Sequence, residues 1–145
     1  MQVDFYQLSR DPVEQVLPAI AQRLLDDGDR LLVVDGRDDA LSRISEALWG
    51  SRPESFLAHG LANDLDAATQ PILLSTQEEA LNNARHIALS DGVWRDAATS
   101  FDRAFYFFDE TTIDAARISW KNLKATPDVT PRFWRQEGRK WVQGP

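Results

Sequence analysis

The sequence predicts an α/β fold: a three-layer, mostly parallel sheet flanked by helices. Three observations point there. Strand-like and helix-like segments alternate along the first half of the chain. Short apolar runs at Arg30–Asp35, Pro71–Ser75 and the end of Phe101–Phe108 lack polar alternation, the mark of strands buried on both faces. A length of 145 residues with 43% hydrophobic content suits one domain with one good core, so residues 1–145 are read as a single unit.

The elements follow in order. Val3–Leu8 alternates and is rich in β formers, a first strand. Asp11 stands as an N-cap before Pro12, with Glu14 completing a capping box. Val13, Val16, Leu17, Ile20, Leu24 and Leu25 then form a helical stripe that ends at Gly28, while Pro18 inside it should kink the helix or shift its start. Arg30–Asp35 is the second strand. Asp38–Trp49 is a second helix with Leu41, Ile44 and Leu48 on one face. Glu54–His59 is short and extended, and Gly60–Gln70 is a polar loop. Pro71–Ser75 and His86–Leu89 are strands; Thr76–Arg85 between them is a short helix or a loop. Val93–Ser100 is ambiguous, and Phe101–Phe108 is strongly β-prone. Asp109–Lys124 is the last helix, with acids at its start and lysines at its end, the order the helix dipole favours. Residues 126–145 read as a small hairpin around Gly138 or an extended tail.

Composition narrows the function. The absence of cysteine excludes disulfides, thiolate zinc sites and cysteine nucleophiles, and suits a reducing compartment. The N-terminus has no basic region or long apolar stretch of the signal-peptide kind, and no run approaches a membrane span. A soluble, cytoplasmic protein without membrane contact is expected.

An α/β sheet invites a search for a nucleotide site. There is no G-x-x-x-x-G-K-[ST] loop and no G-x-G-x-x-G after the first strand. The turn Ser9-Arg10-Asp11-Pro12 carries an acid and lacks one amide, which opposes a pyrophosphate there. The fold is therefore expected to be Rossmann-like without a nucleotide-binding site, and no cofactor is expected. His59 and His86 stand apart and read as structural residues, not as a metal or catalytic pair. Acid pairs such as Asp38-Asp39 read as helix starts. No catalytic constellation and no metal site emerges; a degenerate nucleotide-binding enzyme is the competing class.

Charge is unevenly spread. Between Ala115 and Trp141 stand seven cations and two acids, a balance of +5; residues 1–114 hold nine Arg, no Lys and 21 acids, a balance of −12. Arg117, Lys121 and Lys124 recur at i, i+4 and i+7 and share a helix face beside Trp120. Such a face suits an acidic peptide ending in an apolar residue and a carboxylate. It would also suit single-stranded nucleic acid, but the acidic body disfavours that as a primary role.

Three blocks carry a family resemblance. They are the opening D-F-Y-Q-L; the middle block A-L-W-G-S-R-P-E-S-F-L-A-H-G-L, Ala47–Leu61; and A-R-I-S-W-K-N-L-K, Ala116–Lys124, followed by F-W-R-Q-E-G-R-K-W. In this order they resemble the chi subunit of bacterial DNA polymerase III, with Ala58 where many relatives have proline. The resemblance implies a non-catalytic clamp-loader accessory subunit that meets DNA only indirectly. It implies two partners: the psi subunit of the clamp loader, and the acidic C-terminal tail of single-stranded DNA-binding protein. On this implication, Arg117, Trp120, Lys121, Lys124 and, as a further wall, Tyr106 take the tail, and Trp49 and Phe56 face psi.

Overall fold

The computed structural model describes residues 1–50 and 57–144. They form an eight-stranded sheet whose strands are β1 (Gln2–Gln7), β2 (Leu31–Val34), β3 (His59–Leu61), β4 (Ile72–Ser75), β5 (His86–Leu89), β6 (Arg103–Phe108), β7 (Thr130–Glu137) and β8 (Lys140–Gln143). The order is β3-β4-β2-β5-β6-β1-β7-β8. Every pairing is parallel except β7 with β8. Helices α1 (Val13–Asp26), α2 (Asp38–Gly50) and α3 (Ile113–Lys124) complete the α/β architecture expected from the apolar runs.

Alternation within strands divides the core. Tyr6, Val33, Ile72, Phe105 and Phe107 face α1 and α2. Val3, Phe5, Leu32, Leu73, Tyr106 and Phe108 face the other way, where Ala116 and Leu123 of α3 meet them. β2, β4 and β6 carry residues for both faces, and β2 is wholly buried along its length, which is why its sequence shows no polar alternation.

Some local expectations are corrected. Asp11 does not cap α1: Pro12 occupies the N-cap, and the Asp11 carboxylate accepts a 2.8 Å hydrogen bond from Gln136 of β7 instead. Pro18 does not shift the start of α1, which begins at Val13 and runs on to Asp26 with the proline ring buried. At the far end Gly28 takes φ +81° and closes a Schellman turn, its N–H donating to Leu25 O and that of Asp29 to Leu24 O. Gly60 and Leu61, read as loop, belong to β3. Residues 76–85 form a loop rather than a helix, pinned by buried Asn82, whose amide donates to Gln70 O at 2.9 Å. The ambiguous stretch ends in a short 3-10 turn, Asp96–Ser100.

The C-terminal segment is a hairpin, and more than that. β7 adds to the sheet beside β1 in parallel, from Gln2↔Thr130 to Gln7↔Arg135. β8 returns antiparallel around Gly138, which holds φ +61°. No helix among the described residues is long and apolar enough to cross a membrane.

Candidate functional site

The stripe Ile113, Ala116, Trp120 and Leu123 packs α3 onto the sheet, with Ala116 and Leu123 buried and the other two half-buried. Because a strand sends alternate residues to one face, Phe5 of β1, Phe108 of β6 and Phe133 of β7 all point towards this helix. They do not fill the space beneath it. An open cavity of about 330 Å³ remains, lined by these three rings, Trp120, Ala116 and Arg117, with Gln7 and Ile113 at its margin.

The rings hold one another. Trp120 meets Phe5 edge-on at 5.1 Å between centroids, Phe5 meets Phe108 edge-on at 6.3 Å, and Phe108 meets Phe133 at 6.3 Å. Lys124 Nζ lies 5.5 Å from the Trp120 ring centroid, within cation–π range. Arg117 stands at the mouth with 73% of its side chain exposed, and its ion pair with Asp114 at 3.5 Å is as exposed and therefore weak. Lys121 is exposed one turn from Arg117 and lies outside the cavity wall. The structure thus brings Arg117 and Trp120 into one cavity, with Lys124 against the tryptophan.

Tyr106 is placed elsewhere. It lies on the same face of β6 but is fully buried, its hydroxyl donating to Gly92 O at 2.6 Å. Burial pushes that hydroxyl's pKa up. The wall expected of Tyr106 is supplied two residues later by Phe108, nearer the start of α3. Period-two alternation along β6 contained that signal. Phe5 and Phe133 were hidden, because only the β6-β1-β7 strand order makes them neighbours.

At the other side of the sheet, Trp49 is 47% exposed at the end of α2 and packs its ring 4.3 Å from that of His59. His59 is buried and held on both ring nitrogens, by Ser45 Oγ at 2.7 Å and Leu57 O at 2.9 Å, the structural role expected of it. Leu61, two residues along β3, is also exposed. Phe56 lies outside the described residues.

The crevice at the carboxyl ends of the parallel strands is where doubly wound folds bind nucleotides. Here it is an open cavity of about 490 Å³, lined by Asp11, Asp91 and Asp109 together with Arg10, Arg37 and Arg43. The Gly36 N–H donates to Asp91 Oδ2 at 2.9 Å. Asp35, fully buried, accepts from Ser90 Oγ at 2.9 Å and from Arg37. Burial opposes the charge on Asp91, yet hydrogen bonds from Arg95 and Gly36 outweigh it and hold the carboxyl below its usual range. At the β2–α2 turn the Gly36 amide, a group that would otherwise face a phosphate, is already taken by the Asp91 carboxylate. Among the described residues no group of His, Cys, Asp or Glu is arranged to hold a metal ion.

Two comparisons with known proteins bear on this arrangement. The family model of the DNA polymerase III chi subunit, HolC, matches residues 1–127. The chain is also 28% identical over 127 residues to DNA polymerase III subunit chi of Escherichia coli (strain K12), covering 81% of this chain and 86% of that protein.

Proposed function

The chain belongs to the DNA polymerase III chi subunit family, whose members are accessory proteins of DNA replication, and from this we propose that it is a non-catalytic adaptor. It binds the acidic C-terminal tail of single-stranded DNA-binding protein in the α3 cavity and joins that protein, through psi, to the clamp loader. One observation carries the reading. A slot walled by four aromatic rings has a cation at its mouth and two more on the same helix. The slot takes an apolar terminal side chain; Arg117 and Lys121 take the terminal carboxylate and its neighbouring acids. Lys124 is held against Trp120 and adds charge one turn on. Trp49, with Phe56 beyond it in the sequence, offers the apolar surface for psi.

The test is a pull-down with single-stranded DNA-binding protein, with and without its C-terminal tail, using the parent chain and Arg117→Ala and Lys121→Ala. Capture should require the tail and fall in both variants. Both side chains are exposed, so the variants should keep the parent's stability within about 0.5 kcal/mol. Capture that persists without the tail would sink the assignment.

A further inference from the structure

We propose that a second groove, on the sheet face opposite the α3 cavity, binds an internal acidic protein segment through a large apolar side chain. The groove lies between α1 and the β7–β8 hairpin and encloses about 460 Å³. Its floor is Tyr6, Phe105 and Ile20; its sides are Trp134 and Trp141; its rim is Arg23, Arg103 and Lys140. No acidic side chain lines it among the described residues. On a chain of net charge −7 such a lining favours an acidic partner.

The groove is built before any ligand arrives. Buried Asp4 accepts from Arg103 Nε at 2.6 Å and from the Trp134 indole N–H at 3.1 Å, which fixes one cation and one wall. Arg103 also lies 4.5 Å over the Phe105 ring. Trp141 stands edge-on to Tyr6 at 5.1 Å. Arg103 is thereby neutralised by Asp4, while Arg23 and Lys140 are exposed and engage no acid among the described residues. Two free cations therefore flank an apolar slot.

The rings favour a peptide over a nucleic acid. Tyr6 and Phe105 are buried, and Trp134 is already stacked near-parallel on Tyr6, at 13° between planes. That leaves a slot for a side chain rather than open faces for successive bases. The hairpin that supplies Trp134, Lys140 and Trp141 lies beyond residue 127, where the family match ends. The α3 cavity does not share these walls: Phe133 faces α3 and Trp134 faces the groove.

The experiment follows the tryptophan indole signals of the isotope-labelled full chain by NMR. The probe is the carboxy-amidated peptide Asp-Glu-Leu-Asp-Glu-Trp-Glu-Asp, which lacks the terminal carboxylate expected at α3. The signals of Trp134 and Trp141 should shift saturably. The double variant Arg23→Glu, Lys140→Glu, exposed at both positions, should bind roughly tenfold or more weakly. Arg117→Ala with Lys121→Ala should leave these shifts in place. Three results would overturn the proposal: shifts confined to Trp120, equal affinity in the charge-reversed variant, or oligothymidylate shifting the same signals more tightly than the peptide at physiological salt.

Discussion

Replacing Asp4 with asparagine should cost about 2–3 kcal/mol of folding stability. Asp4 lies on β1, between β6 and β7, fully out of water. Its carboxylate receives both Gln2 Nε2 contacts at 3.0 Å, the Arg103 guanidinium through Nε and a terminal nitrogen at 2.6 Å, and the Trp134 indole at 3.1 Å. Asparagine keeps the size but removes the charge, and it turns an N–H₂ towards groups that are all donors. Breaking a buried ion pair costs about 3–5 kcal/mol. Arg103 is 34% exposed, so water recovers part of that loss and brings it down to about 2–3 kcal/mol. Urea denaturation followed by tryptophan fluorescence should show the loss at an unchanged slope. Hydrogen exchange should speed up in β7 more than in β2, because the lost bond to Trp134 is one that ties β7 down. A loss below about 1 kcal/mol would refute the claim that this carboxylate fastens the C-terminal strand to the sheet.

Other outcomes follow from the same structure. Burial, with the charge of Asp4 adding to it, pushes the Tyr6 hydroxyl from 10.0 up to about 12. Between these values the folded chain keeps a proton that the unfolded chain has released. Stability is therefore whole below pH 10 and falls as pH rises towards 12, by up to ~3 kcal/mol from this group. Tyr6→Phe should lose less stability than the parent over that window in parallel urea titrations. Gly28→Ala should cost about 1 kcal/mol, because φ is +81° while the space for a methyl is open. A thermal-denaturation loss well above that would show a clash that the open surroundings do not contain.

Much of the fold was legible because its strands are short apolar runs and its helices carry clean stripes. β2, α2, β4 and β5 sit within a residue or two of where the apolar runs and the α2 stripe place them. Legibility failed where a distant residue decides the outcome. Asp11 has every local feature of an N-cap, but Gln136 claims its carboxylate. The tail of residues 126–145 gives no local hint that β7 will pair with β1, since that pairing depends on a parallel neighbour at the opposite end of the chain. The candidate site divides in the same way. Helical spacing puts Arg117, Lys121 and Lys124 on one face of α3 beside Trp120, and the family resemblance implies their role, whereas Phe5 and Phe133 come from strands that only the sheet order brings together. Tyr106 shares the face of Phe108, but it is buried with its hydroxyl on Gly92 O and does not line the cavity.

The adaptor reading is tested most directly by calorimetry with a short acidic peptide ending in proline and phenylalanine with a free carboxylate. The parent chain should bind it at micromolar affinity, and the affinity should fall as salt rises, because the cations at the α3 cavity are exposed. Arg117→Ala and Lys121→Ala should each remove most of the binding. Unchanged affinity in both variants, or no saturable heat from the parent, would contradict the account.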